Sequence, residues 1–255
     1  MINQSPQNTS RFQTLLLIAL SVLISSACSR SEEESVSVTA APDVAAPSPS
    51  VQIPVTTASE KARALYAEGD YFLDVGRGVQ AREKFQAAAD NDPSFALAYY
   101  GQSNAALSFA EFKTSIDNAL KHSEGISDGE RMLIEINKTF LSNDSAAGLT
   151  MAQELVGEYP DSARARIVLA GMQANQNDNV GARASNQKAL DLEPDMAAAL
   201  TGLANNNLFG EPKDFAAAET WADKFIAAYP DEAKGYEILG DIKRAQNELD
   251  AALDA

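Results

Sequence analysis

The chain has 255 residues and a formal net charge of -16. So acidic a chain repels nucleic-acid phosphates and anionic lipid head groups, so neither is expected as a partner of the folded part. A single cysteine and a single histidine exclude an internal disulfide, a cysteine-based metal site and any mechanism built on paired histidines.

The first residues are polar and carry Arg11, and the run from Leu15 to Ile24 then reads LLLIALSVLI. A membrane-spanning helix needs about 20 apolar residues, so this run is too short to span and fits the core of a secretory signal peptide. Ser25, Ser26 and Ala27 follow, and then Cys28. The pattern resembles bacterial lipoprotein precursors, in which an apolar run and a small-residue turn lead to a cysteine that is acylated and becomes the new N-terminus. The resemblance implies that residues 1–27 are a signal peptide and that Cys28 is the lipidation site, carrying acyl chains such as palmitate. The third residue before the cysteine, commonly Leu in that family, is Ser25 here. Two or more acyl chains anchor a protein stably. Ser29 stands where an Asp favours inner-membrane retention in Gram-negative lipoproteins. The resemblance therefore points to the outer membrane, facing the periplasm.

Residues 28–57 are rich in Ala, Pro and Ser, lack aromatic residues and show no apolar periodicity. Pro42, Pro47, Pro49 and Pro54 oppose regular helix. Such a segment buries too little surface to offset its ordering entropy. It is expected to be a disordered tether that holds the folded part roughly 30 Å from the membrane. A docked extended strand is the alternative.

From residue 58 to 255 the pattern is helical and rich in Ala, Leu and Glu. Short helix ends recur as Asn91-Asp92-Pro93, Tyr159-Pro160-Asp161, Glu193-Pro194-Asp195 and Tyr229-Pro230-Asp231. Their prolines fall about 34 residues apart, or about twice that. In the unit from Ala62 to Phe95, Leu65, Gly69 and Phe72 share one helix face, and Ala81, Phe85 and Ala88 share the next. Gly69 and Ala81 are small, letting the two helices approach closely, while Phe85 fills the space towards the following unit. This unit resembles the tetratricopeptide repeat. Later units are looser. One helix carries Ala98, Tyr99 and Ala106, and another runs from about Phe112 to His122. A capping box at Ser127 to Glu130 opens the next helix, and Asp144 or Ser145 caps its partner. Units with Ala182 and Ala189, then Leu200, Ala218 and Phe225, follow, with a longer turn through Gly210-Glu211-Pro212. The resemblance implies an all-α fold, a right-handed α-solenoid of about ten helices in about five helix-turn-helix repeats. It closes with a helix from about Ala233 to Ala245. The segment NELDAALDA after Gln246 begins a second helix in which Leu249 and Ala252 are placed to pack on Gly240, and the last repeat reads as truncated at Ala255.

The motifs of common enzyme chemistry are absent from the sequence: there is no phosphate loop, GxSxG, HExxH or CxxC. His122, beside Lys121, reads as a helix-end group. Asn175, Asn177, Asp178 and Asn179 resemble a calcium loop but lack its glycine and closing glutamate, so they read as a turn. Trp221 and the tyrosines read as packing residues. No enzyme activity, metal or cofactor is expected.

In tetratricopeptide arrays the first helix of each unit lines the concave surface. The resemblance therefore places Arg63, Tyr66, Asp70, Tyr100, Asn104, Asn137, Arg164, Asn205 and Lys234 in a groove for a protein or peptide partner. Leu133, Ile167, Thr201, Glu237 and Asp241 lie on the same faces. Asn104, Asn137 and Asn205 occupy equivalent places, and an amide pairs with peptide backbone regardless of sequence. The expected function is a membrane-tethered interaction scaffold of the bacterial cell envelope. Alternatives are an accessory lipoprotein subunit of an outer-membrane assembly or secretion machine, and a small-molecule-binding lipoprotein.

Overall fold

The computed structural model describes residues 52–248, which lie within one compact unit. Eleven helices follow one another: α1 (Glu60–Asp74), α2 (Gly78–Asn91), α3 (Ala96–Asn104), α4 (Phe109–Lys121), α5 (Asp128–Ser142), α6 (Ser145–Glu158), α7 (Ala163–Asn175), α8 (Asn179–Leu192), α9 (Ala197–Leu208), α10 (Phe215–Ala228) and α11 (Ala233–Ala245). No strand occurs among the described residues. About ten were expected, and α11 is the closing helix expected over Ala233 to Ala245. The segment NELDAALDA and its contact with Gly240 fall almost wholly outside the described residues.

The helices start where short polar side chains satisfy free backbone amides. Ser59, Ser108, Ser162, Asp144, Asp178 and Asp214 each accept a hydrogen bond from an amide three residues on. Ser127 and Glu130 form the expected reciprocal capping box. The Ser108 cap starts α4 three residues before the expected Phe112. Asp178, read as part of a turn, caps α8, and Asn177 turns the chain at φ 62°. His122 ends α4 and stacks on Tyr99, ring centres 5.5 Å apart.

Each odd-numbered helix packs against the even-numbered one that follows it, and each even-numbered helix against the next odd one. The odd-numbered helices also meet one another, α1 with α3, α3 with α5, α7 with α9 and α9 with α11. They form the inner layer of a tetratricopeptide-like solenoid. Phe85 is fully buried at the first junction. A Cβ on Gly69 would lie 2.6 Å from its ring, and one on Gly101 would also overlap it. The aromatic ring thus replaces the side chains that two neighbouring first helices lack.

Two features lie beyond the repeat pattern. Residues 52–57, assigned from sequence to the tether, have no regular secondary structure and are bonded to the helical unit. Thr56 donates its amide to Glu130 Oε1 and its hydroxyl to Glu130 Oε2, each at 2.6 Å. Thr57 bonds Asp92, and Gln52 reaches the Asp161 carbonyl at 2.9 Å. Ile53 and Val55 pack on the core. These contacts supply the apolar and polar partners that composition alone does not reveal. Residues 28–51 of the expected tether, and Cys28 with them, lie outside the described residues.

The second feature is the turn between α1 and α2, which reaches the far units. Val75 is buried with Ala163, Ala189, Leu200 and Phe225. Arg77 Nε donates to Glu232 Oε2 at 2.6 Å, and the Lys234 side chain lies against Gly76. Gly76 has φ 86°, a conformation glycine adopts without strain.

Candidate concave site

Helices α1, α3, α5 and α7 present their inner faces to one cavity of about 270 Å3. Residues four apart on a helix share a face, so Tyr66, Asp70 and the neighbouring Leu73 enter it from α1, and Tyr100 and Asn104 from α3. Ile136, Asn137 and Phe140 enter from α5, and Arg164, Ile167, Val168 and Met172 from α7. Polar side chains make part of the lining and apolar ones the rest.

The polar part holds hydrogen-bonded pairs. Arg164 makes two hydrogen bonds to Asp74, at 2.9 and 2.7 Å, across two helices far apart in the chain. Such a bidentate pair fixes both position and orientation. Asp70 lies beside it, four residues after Tyr66 on the same face of α1. Burial first, and then the nearby Asp74 charge, push the Asp70 carboxyl up to about 6, against the opposing pull of Arg164 and Tyr66. Burial also holds the Tyr66 and Tyr100 hydroxyls above their ordinary range. Asn137 is buried and donates to Asn104 Oδ1 at 2.7 Å and to Ser103 Oγ at 3.1 Å. Asn104 and Tyr100 lie four residues apart on the same face of α3.

Six of the nine expected groove residues thus line a single cavity: Tyr66, Asp70, Tyr100, Asn104, Asn137 and Arg164. Three do not. Arg63 instead binds the carbonyls of Val55 and Thr57, the latter at 3.0 Å, and so holds the N-terminal segment. Lys234 packs on the α1–α2 turn and pairs with Glu237 at 3.4 Å. Asn205 is on α9, away from the cavity lining. Leu133 is core, whereas Ile167 lines the cavity. Asp74 and Phe140 are additions. The first lies four residues after Asp70 and the second three after Asn137, so helical spacing carried the signal for both.

Two wider hollows lie along the even-numbered helices. One of about 770 Å3 separates α2 from α4, and one of about 720 Å3 is bordered by Trp221 and Lys224 of α10. Each is a furrow between successive units. The first carries exposed bonded pairs, Arg82 with Glu111 and Gln86 with Asp90.

Residues 66–117 and 142–205 match the tetratricopeptide repeat family. No curated protein matches it. Among solved structures, PilW, a widely conserved type IV pilus biogenesis factor, is 16% identical, with 77% of this chain and 91% of that chain covered and a TM-score of 0.49. YrrB, a repeat protein with an unusual peptide-binding site, is 20% identical over 68% of this chain and 89% of its own, with a TM-score of 0.39. A tetratricopeptide repeat protein from Parabacteroides merdae is 17% identical over 77% of each chain, with a TM-score of 0.46.

Proposed function

We propose that this repeat array is an interaction scaffold of the bacterial cell envelope, holding a protein or peptide partner against its inner face. The observation that carries the reading is the cavity itself. Four successive first helices bring tyrosine, asparagine, aspartate and arginine side chains to one concave spot together with apolar ones. A few convergent polar groups set in an apolar hollow are the usual composition of a recognition site. Repeat arrays of this kind offer extended concave surfaces to partners.

In the same proposal the array is tethered through acyl chains on Cys28 after loss of residues 1–27, on the periplasmic side of the outer membrane. The apolar run, the small-residue turn and the cysteine support this.

Affinity capture of the full chain from solubilised envelopes tests the first part. One protein recovered in stoichiometric amount, and lost from an Asn104→Ala, Asn137→Ala variant with unchanged helical circular dichroism, is the expected result. Recovery undiminished by that variant would move the partner off the inner face. For the anchor, Cys28→Ser should leave the membrane fraction or remain uncleaved. A wild-type mass without acyl chains refutes the anchor and leaves the scaffold reading standing.

A further inference from the structure

The ion pairing at the inner cavity leaves a charge surplus. Asp70 and Arg164 line it, and Arg164 is paired with a second carboxylate, Asp74, that is not part of the lining. Both of the Arg164 hydrogen bonds described above go to Asp74, so that pair is closed. Among the described residues no basic side chain forms an ion pair with Asp70. One carboxylate thus lines the cavity without an ion-pair partner of its own, its charge favoured by the nearby Arg164 guanidinium and, less, by Tyr66. Two tyrosine rings and Phe140 border the same space, and aromatic faces attract cations.

The lining also holds the apolar side chains of Leu73, Ile136, Ile167, Val168 and Met172. Lysine and arginine bury their methylene stems on such surfaces while the charged head seeks polar partners. The volume, about 270 Å3, falls just below the range of small-molecule pockets and suits one long side chain.

The cavity also opens onto an apolar strip. Phe140 is 43% exposed and meets Phe112 edge-on at 6.4 Å; Phe112 meets Phe109 at 6.5 Å. Phe109 and the neighbouring Leu107 are 66% and 75% exposed. This strip is continuous with the cavity through Phe140.

We infer that the cavity is an anchor pocket for a lysine or arginine side chain of the partner, with an adjacent aromatic or large aliphatic residue of the same segment lying on the Phe109–Phe112–Phe140 strip. Charge complementarity selects this occupant over an acidic or neutral one. The chain as a whole, at -16, steers basic segments towards it. The inference rests on the reading of the inner face as the partner site.

Acetylated, amidated and dye-labelled hexapeptides test it. The central residue is Lys, Arg, Met or Glu, and its neighbour is Phe or Ala. Fluorescence anisotropy with the full protein at pH 7.5 is expected to rank Lys and Arg with Phe at least tenfold tighter than Met or Glu with Phe. Replacing the neighbouring Phe by Ala should weaken the basic peptides several-fold. In Asp70→Asn the preference for Lys over Met should disappear, while the variant keeps its circular dichroism and melts no lower than wild type. Phe109→Ser should remove the benefit of the neighbouring Phe and leave the Lys preference intact. Equal binding of Met, Glu and Lys peptides by wild type overturns the basic anchor and leaves the scaffold standing. Failure of every peptide to bind, with a partner still recovered from envelopes, does the same. Failure of both experiments overturns the scaffold as well.

Discussion

Phe85 sits between two glycines on successive helices and is fully buried. Its removal leaves a cavity that the glycines cannot fill, so Phe85→Ala should cost about 3–5 kcal/mol in urea unfolding. Gly69→Leu meets the same ring from the other side and should cost about 1–3 kcal/mol by overpacking. A loss below about 1 kcal/mol for Phe85→Ala would contradict this packing. Spacing set Gly69 beside Ala81 and pointed Phe85 towards the following unit. That the Phe85 ring also fills the space over Gly69, and that Gly101 is its partner in the next unit, depends on how the helices stack and was not legible. Asp70 gives a pH signature. Its folded-state value of about 6 lies above the ordinary 3.8, so the folded protein binds this proton more tightly than the unfolded chain. The group therefore favours folding below about pH 4, and that advantage is lost as pH rises through about 6. Asp70→Asn removes the slope. It should melt like wild type near pH 4 and be more stable by about 2 kcal/mol at pH 7.5. Parallel melting curves for the two proteins from pH 4 to 7.5 would refute this assignment.

Glu130 joins two elements that the repeat pattern treats separately. It is 1% exposed, completes the capping box of α5 and accepts both bonds from Thr56. Hydrogen bonds to a buried charge contribute about 1.5–3 kcal/mol, so Glu130→Gln should lower stability by that order. Thr56→Val removes one bond and should release the segment with little loss of global stability. Hydrogen exchange read by mass spectrometry separates the two. Residues 52–57 should exchange fast in both variants, and the first turn of α5 only in Glu130→Gln. Fast exchange of Thr56 in wild type would mean that the segment is not held. The helices themselves were legible, because Ser and Asp caps and the recurring prolines mark their ends locally. The docked segment was not. Its partners, Asp92, Glu130 and Asp161, lie 35 to 109 residues away, and nothing in its own composition announces them.

At the scale of the whole array, the α1–α2 turn changes what the groove can be. Repeat spacing predicted an inner face lined from the first unit to the last. Helices α1, α3, α5 and α7 follow that expectation, and their side chains share one cavity. Past α7 the turn fills the inner side. Val75 is buried among residues of α7, α8, α9 and α10, and Lys234 lies on Gly76 instead of facing a groove. The spacing of a repeat fixes which side chains share a face, but curvature accumulates from small rotations between units, and no local signal reports their sum. An array whose units touch only their neighbours can lose its outer units first. Here the Val75 contact and the Arg77–Glu232 pair tie early units to late ones. Wild type should therefore unfold in urea in a single transition. Val75→Asp places an unpaired charge among apolar side chains and should split it into two. A single transition of unchanged steepness in Val75→Asp would show that the turn does not couple the units.

The same turn sets the order of events in assembly. Arg77 and Glu232 are 155 residues apart in the chain. Contacts between neighbouring helices form by closing short loops, whereas this one must close a long loop, and folding slows as contacting residues become more distant in sequence. Helix pairs can form as the chain emerges from the ribosome, but Val75 has no pocket until α7, α8, α9 and α10 exist. The first turn to be synthesised is thus among the last to be buried. An apolar residue near the N-terminal end of the array remains open to solvent, and to any chaperone, until nearly the whole array has been made.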